Sequence, residues 1–275
     1  MAAEQIAAEV MELPYDFINT AGLDTSISPN GNVTCASRMT YMVGNTLLEA
    51  AKQLKAQMLE QAARLLNRPL ESLSYSRGHV LTAEGEKIAV KEVISRAADD
   101  GIILQSESTF SFPYPEETTP QHLPIGMPHV LFCFGAQAAR VEVDPELGTV
   151  VVTHLTAIHD VGRVISRAGV EGQIEGGVAM GLGYALYESM NLKDNGQWVD
   201  SFTEYLLPTS KDIPTILKNI ILEIPEKSGP FGAKGVGEVI VPPTAPAIAN
   251  AIFNATGIRV KSLPITPEKL VRLTP

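Results

Sequence analysis

Six of the 22 glycines fall between residues 169 and 183, where an apolar pattern predicts the start of a helix. Glycine weakens a helix and favours turns, so residues 168–190 are predicted to form a glycine-rich loop that runs into a helix. The first turn of a helix carries unpaired backbone N–H groups, and a backbone without Cβ atoms can be approached closely by another molecule. Gln173 adds a side chain that both donates and accepts hydrogen bonds. The segment therefore predicts a ligand-contacting backbone, although small residues would equally permit close helix packing.

A second glycine-rich segment, residues 228–238, ends in the carboxylate of Glu238 and is followed by the apolar run 239–241. An apolar setting withdraws a carboxylate from water and makes it a better proton acceptor near neutral pH. We therefore predict that Glu238 is a general base. The alternative is a loop carboxylate paired with Lys234, which lies four residues earlier.

The remaining pattern mixes helices and strands without a regular βαβ alternation, which is typical of the α+β class. The predicted elements are a helix at 43–65, a strand pair with a short helix within 72–100, a hairpin of 138–144 with 149–157, and a helix at 244–256. The proline-rich stretch 106–129 is predicted to be mostly loop. Residues 3–11 have helical composition without an N-cap, which suggests a helix whose beginning is missing. Two lobes, of about 1–140 and 141–275, are expected.

Composition excludes several functions. The net charge is −10 and no run is basic, which disfavours nucleic acid as a partner. Two cysteines cannot form a disulfide framework or a four-thiolate iron–sulfur site. His154 and His159 would lie on opposite faces of a strand, so we predict no metal ligands among the side chains. The uncharged stretch 239–258 contains three prolines, which disfavours a membrane helix, and the N-terminus lacks the features of a signal peptide. A cytoplasmic protein is predicted.

Common catalytic motifs are absent from the sequence. The glycines at 181 and 183 lack the third glycine and the preceding strand of a dinucleotide fingerprint. The sequence contains no Walker cradle, no nucleophile elbow and no paired histidine motif of a zinc protease. Function must therefore be sought in the two glycine-rich segments.

These segments belong to a set of motifs that occur in the order of one known family. The motifs are D-T at 24–25 with A-S-R at 36–38, F-G-A-Q at 134–137 with V-E-V-D at 141–144, G-Q-I-E-G-G at 172–177, G-A-K-G-V-G-E at 232–238, P-A-I-A-N-A-I at 246–252 and L-P-I-T-P-E at 263–268. In these motifs the chain resembles the C-terminal half of the molybdenum-binding subunit of the xanthine dehydrogenase and aldehyde oxidase family. The resemblance implies a mixed-sheet, molybdopterin-binding α+β domain that spans residues 1–275.

The resemblance also assigns roles to residues. Glu238 would be the catalytic base in the hydroxylation of a small molecule with water-derived oxygen. Gln173 would hydrogen-bond the pterin edge, and the backbone of several glycines would approach the cofactor. The residues implied in cofactor binding are Gln173, Gly176, Gly177, Gly235, Gly237, Cys35, Ala36 and Ser37. An alternative role for Ser37 is the N-cap of the long helix that begins near Thr40.

Cofactors and partners follow from the same resemblance. The cofactor would be molybdenum–molybdopterin, expected in the cytosine dinucleotide form. The [2Fe–2S] clusters and FAD are expected on partner subunits, and a large molybdopterin subunit would supply the other half of the cleft. The favoured substrate is an aromatic N-heterocycle of the purine or nicotinate type. The alternatives are aldehyde oxidation and a non-catalytic subunit that only holds the cofactor; the presence of Glu238 speaks against the second.

Overall fold

A computed structural model describes residues 2–21, 24–31, 33–111 and 131–271. The chain divides into two compact units. The first unit comprises Met1–Val130 with Lys227–Ala233, and the second comprises Leu131–Glu226 with Lys234–Pro275. The glycine-rich segment 228–238 is therefore shared by the two units, because its residues from Lys234 onward belong to the second. Most of the predicted loop 106–129 lies outside the described residues.

The described part of the first unit contains three α-helices and a small antiparallel sheet. Its elements are α1 (Ala2–Met11), a π-helical turn (Met39–Val43), α2 (Gly44–Leu66), β1 (Leu73–Ser76), β2 (His79–Thr82), β3 (Lys87–Ala89) and α3 (Val90–Asp99), with 3-10 turns at Tyr15–Phe17, Leu70–Ser72 and Pro230–Gly232. The strands are ordered β1-β2-β3 and both pairings are antiparallel. The predicted strand pair is thus a three-stranded sheet, because the short β3 also pairs with β2.

The long helix α2 confirms the prediction from the apolar stripe. Its buried side chains Ala51, Met58 and Ala62 recur at helical spacing and face two apolar clusters of the first unit. Asn67 ends the helix in the left-handed conformation, with φ 49° and ψ 50°. Asparagine adopts that conformation more readily than other residues with a Cβ atom, which explains the stop.

The second unit contains a mixed three-stranded sheet with two helices packed on it. Its elements are β4 (Gly135–Val143), β5 (Val150–Asp160), α4 (Arg167–Leu186), β6 (Ile216–Leu222) and α5 (Val241–Thr256). The order is β4-β5-β6, with β4 antiparallel and β6 parallel to β5. The hairpin β4–β5 and the helix α5 confirm their predictions, and the α+β class with a mixed sheet is confirmed as well.

Two buried apolar clusters form the core of this unit. The Leu182 cluster consists of Val152, Leu182, Ala185, Leu186, Ala245, Ile248, Ile252, Ile265 and Leu270. The Ile174 cluster consists of Leu155, Ala157, Val161, Ile174, Val178, Val236 and Ile240. Both clusters contain residues of β5 and α4, so the glycine-rich helix packs against β5 in each of them. Among the described helices, none has the length and apolar character that a bilayer span requires.

The predicted glycine-rich loop is wrong, because α4 is helical from Arg167 onward. Ser166 caps the helix, and its Oγ accepts a hydrogen bond from the N–H of Gly169 at 3.3 Å. Tertiary packing outweighs the low helix propensity of glycine. A Cβ atom on Gly177 would lie 2.6 Å from Cγ2 of Ile240, and one on Gly181 would overlap the side chain of Thr244. The small residues therefore let α4 pack closely, as the alternative interpretation of this segment expected.

Candidate functional site

Glu238 lies on a short exposed segment between two buried flanks. Gly237 and Glu238 are exposed, whereas Gly235 and Val236 before them and Ile240 after them are buried. Val236 and Ile240 belong to the Ile174 cluster. The fold thus presents the carboxylate at the surface from a backbone held in the core. The apolar sequence around Glu238 had suggested that its carboxylate is withdrawn from water. In the described part of the chain this residue is instead exposed.

The alternative prediction, an ion pair between Glu238 and Lys234, is wrong, because Lys234 pairs with Asp160. The Lys234 Nζ lies 2.5 Å from Asp160 Oδ2, and the two side chains are only 6% and 1% exposed. Burial alone would raise the pKa of Asp160. The hydrogen bond and charge of Lys234, together with the N–H of Gly162, more than offset that effect, so the pKa lies below its ordinary value. Asp160 is a buried carboxylate that stays ionised.

Further hydrogen bonds fix the residues that precede Glu238. The backbone N–H of Lys234 donates to the carbonyl of Val161 at 2.9 Å, and its Nζ donates to the carbonyl of Phe132 at 3.2 Å. The thiol of Cys133 donates to the carbonyl of Gly235 at 3.1 Å. Burial raises the pKa of Cys133, which keeps the thiol protonated and able to donate.

The residues that follow Glu238 are fixed through Ile240. The side-chain amide of Gln137 donates from Nε2 to the carbonyl of Ile240 at 2.8 Å, and its Oε1 accepts from the hydroxyl of Thr244 at 2.7 Å. Gly177 packs against the side chain of Ile240. The two glycine-rich motifs of the sequence therefore meet at Ile240, two residues after the predicted base.

Gln173 and Gly176 lie on the opposite side of α4 from its buried residues. Both are exposed, whereas Ile174 and Val178 are buried in the Ile174 cluster. No described atom outside the local backbone lies within 4 Å of the position that a Gly176 Cβ would take. This face of α4 presents an amide side chain beside backbone that carries no Cβ atom. A planar polar ligand could approach it closely.

The predicted site residues 35–37 belong to the first unit, where they precede the π-helical turn. Ala36 and Ser37 both have left-handed backbones, with φ of 52° and 54°. Cys35 and Ala36 are exposed and Ser37 is half-buried. The predicted N-cap role of Ser37 is wrong, because Arg38 occupies the N-cap position of the helical turn.

Sequence reasoning did not assign a role to Asp160 or Gln137. Asp160 pairs with a residue 74 positions away, and Gln137 contacts residues more than 100 positions away. A lysine in a glycine-rich run whose other charged residue is Glu238 was the available signal, since a buried lysine requires an anionic partner. The strand order β4-β5-β6 determines which carboxylate pairs with Lys234, and this order cannot be read from the local sequence pattern.

Comparison with known proteins gives a consistent result. The sequence model of the molybdopterin cofactor-binding domain matches residues 1–214. The chain is 33% identical over 272 residues to a probable xanthine dehydrogenase subunit of Bacillus subtilis (strain 168), with 98% of this chain and 35% of that protein covered. It is 28% identical over 278 residues to the nicotine 6-hydroxylase large subunit of Paenarthrobacter nicotinovorans, with 98% and 33% covered. The chain therefore spans about a third of the length of these relatives.

Solved structures share the fold. The Cu,Mo-CO dehydrogenase superposes with a TM-score of 0.79 at 23% identity, covering 98% of this chain and 33% of that one. Quinoline 2-oxidoreductase from Pseudomonas putida 86 superposes with a TM-score of 0.73 at 28% identity, covering 100% and 35%. The similarity spans both units of the chain.

Proposed function

Since the chain belongs to the molybdopterin cofactor-binding domain family, whose model covers residues 1–214, we propose that it is the molybdopterin-binding catalytic part of a molybdenum hydroxylase. Its relatives include xanthine dehydrogenase subunits, so the resemblance drawn from the motifs is confirmed. In the proposed reaction an electrophilic carbon of an aromatic N-heterocycle receives an oxygen derived from water. Glu238 is the general base.

The open face of α4 supports the binding of a pterin by this chain. Gln173 offers both donors and an acceptor to the edge of a heterocycle, and the bare backbone at Gly176 leaves room for a ring system. In the first unit, the left-handed turn at Ala36 and Ser37 is proposed to contact polar groups of the cofactor. Gly177, in contrast, packs against the side chain of Ile240 and does not lie on the open face of α4. Its proposed role is to bring α4 close to the segment of Glu238.

The observation that carries the proposal is that Glu238 is exposed while Val236 and Ile240 on either side of it are buried. When bound, the cofactor supplies the redox chemistry that takes up the electrons of the substrate. This chain supplies a carboxylate whose oxygen accepts the proton released in the reaction. Lys234, the cation of the motif, forms its ion pair with Asp160. Gly235 and Gly237 are proposed to let the backbone beside Glu238 approach the cofactor.

The remaining components are proposed to lie outside this chain. We propose that further molybdopterin-subunit sequence completes the cleft and shields Glu238 from water, and that iron–sulfur and FAD subunits carry the electrons away. The cytosine dinucleotide form of the cofactor is part of the same proposal. Two relatives are named as subunits, one of a xanthine dehydrogenase and one of nicotine 6-hydroxylase, which supports a multi-subunit enzyme. The names nicotine 6-hydroxylase and quinoline 2-oxidoreductase support the N-heterocyclic substrate class.

The test is purification of the assembled protein through a tag on this chain, with molybdenum quantified and turnover measured on purines, nicotinate and aldehydes. We expect near-stoichiometric molybdenum and hydroxylation of a heterocycle. Glu238→Gln should keep the molybdenum but reduce kcat by about 10²–10⁴-fold, since an amide cannot accept the proton. Glu146→Gln, at an exposed carboxylate in the β4–β5 turn, is the matched control. Normal turnover of Glu238→Gln, or turnover on aldehydes alone, would contradict the proposal.

A further inference from the structure

We propose that Asp160 and Lys234 are positioning residues, whose buried ion pair fixes the backbone that carries Glu238. The inference rests on the proposed function, because it concerns how the same carboxylate is held. Both residues contact the protein interior and the main chain around it. They act through the seven-residue stretch 234–240.

The ion pair is not explained by packing alone. Its two side chains are almost completely buried, at 6% and 1% exposure. Removing two charges from water is costly, and apolar side chains of similar volume often stabilise a core as well or better. A charged pair does provide direction, because hydrogen bonds fix both the distance and the orientation of its groups. We therefore infer that this pair serves to fix the position of the groups it joins rather than to stabilise the fold.

The pair joins the segment of Glu238 to the ends of two neighbouring strands. Asp160 is the last residue of β5, and its Oδ1 accepts hydrogen bonds from the N–H groups of Gly162 at 3.0 Å and Ile224 at 3.3 Å. Ile224 lies just beyond the end of β6. Lys234 is tied to the same place by its backbone N–H, which donates to Val161. Side chain and main chain thus fix Lys234 at the carboxyl ends of β5 and β6.

A second anchor lies on the other side of Glu238. Gln137 binds the carbonyl of Ile240, and Gly177 packs against the Ile240 side chain. Between the two anchors, Gly237 and Glu238 are exposed. Glycine has more backbone freedom than any other residue, so a segment that contains it needs fixed ends to hold one conformation. The anchors therefore restrict where the Glu238 carboxylate can stand.

Position matters for a general base. A displacement of about 1 Å at a reacting group can lower a rate by roughly 10²-fold. If the ion pair sets the position of Glu238, its loss should lower kcat while the cofactor stays bound and KM stays unchanged. If the pair only stabilises the fold, its loss should lower the melting temperature without a specific effect on Glu238. The two roles predict different measurements.

The experiment uses the assembled enzyme with its partner subunits. Asp160→Asn leaves a buried lysine without its counter-ion and can impair folding. The double variant Asp160→Asn/Lys234→Met is therefore the main variant to be measured, since it removes both charges together. The measurements are kcat, KM, molybdenum content, and deuterium uptake by residues 236–239. Ile252→Ala is the matched control, because it opens a cavity in the Leu182 cluster, away from the segment of Glu238.

For the double variant we expect kcat to fall at least about 10-fold, with KM and molybdenum content within about two-fold of the wild type. Deuterium uptake by residues 236–239 should rise, and it should not rise in the Ile252→Ala control. In a Glu238→Gln background the same double substitution should lower the residual rate by less than about two-fold, because residues that act through Glu238 are not additive with it. The single variant Lys234→Arg should retain part of the rate that the double variant loses, since it keeps the charge.

Two results would overturn the inference: unchanged kcat and uptake in the double variant, or a loss that adds in full to that of Glu238→Gln. Failure of the proposed function has a different signature. In that case Glu238→Gln itself would turn over normally, while deuterium uptake would still report whether the ion pair holds residues 236–239.

Discussion

Two adjacent glycines in α4 allow a sharp test of how the two motifs are packed. We expect Gly177→Ala to destabilise the second unit and Gly176→Ala to stabilise it. A Cβ on Gly177 would lie 2.6 Å from Cγ2 and 2.8 Å from Cβ of Ile240, whereas ordinary carbon–carbon contacts are about 3.5–4.0 Å. Ile240 is completely buried and its carbonyl is bound by Gln137, so neither its side chain nor its backbone can move away freely.

The magnitude follows from two opposing effects. Overpacking of a core by one methyl group costs about 1–3 kcal/mol, and replacing glycine by alanine within a helix gains about 1 kcal/mol. Gly177→Ala should therefore lower the free energy of unfolding by about 0–2 kcal/mol. At Gly176 the new methyl group meets no described atom, so only the gain of roughly 0.5–1 kcal/mol remains. The two variants should differ by about 1–3 kcal/mol.

The measurement is urea unfolding of the purified protein, followed by circular dichroism and by the fluorescence of Trp198. Trp198 is the single tryptophan of the sequence and lies in the second unit with α4. Equal midpoints and equal slopes for Gly176→Ala and Gly177→Ala would refute the close packing of α4 against Ile240. They would also remove the link between the two glycine-rich motifs on which the site is built.

Three further predictions follow from the same geometry. Ser166→Ala removes the hydroxyl that caps α4 and should lower stability by about 1 kcal/mol, seen as a lower melting temperature; an unchanged value would mean that the bond to Gly169 contributes nothing. The pKa of Asp160 is lower in the folded chain, so its contribution to stability is present above the unfolded value of about 3.9 and is lost as the pH falls through the folded value. Urea unfolding between pH 2 and 7 should therefore show the stability advantage of the wild type over Asp160→Asn shrinking at acidic pH, and a constant difference would contradict the ion pair with Lys234. Gly176→Ala should reduce the molybdenum content of the assembled enzyme although it stabilises the fold, and full molybdenum loading would argue against a cofactor at that face of α4.

Local sequence patterns correctly predicted the helices and strands whose buried face is visible in their own sequence. The apolar stripe of α2 and the alternation around the turn of β4–β5 each describe one buried face, and each element formed as predicted. The glycine run of α4 was misjudged because its glycines are stabilised by contacts that the local pattern does not contain. Gly177 and Gly181 meet Ile240 and Thr244, which lie more than 60 residues later in the chain.

The candidate site shows the same division. Glu238 and Gln173 could be singled out because a carboxylate or an amide inside a glycine-rich run has no obvious structural use. The groups that fix Glu238 could not be identified in this way, since Asp160 and Gln137 lie on strands outside the two glycine-rich runs and the sequence assigned neither a role. Their roles depend on the strand order, which brings the end of β5 to Lys234 and β4 to Ile240.

The glycines of α4 also separate folding from function. Each glycine within a helix costs about 0.8–1 kcal/mol relative to alanine. At Gly177 and Gly181 that cost is offset by the close approach of neighbouring side chains, since a methyl group there would overlap them. At Gly172 and Gly176 no described atom lies near the position of a Cβ, so folding of this chain gains nothing from the absence of a side chain. The two positions flank Gln173 on the exposed face of the helix. A cost that folding does not offset is expected where another molecule contacts the backbone, and this is the physical reason to place the proposed pterin at that face.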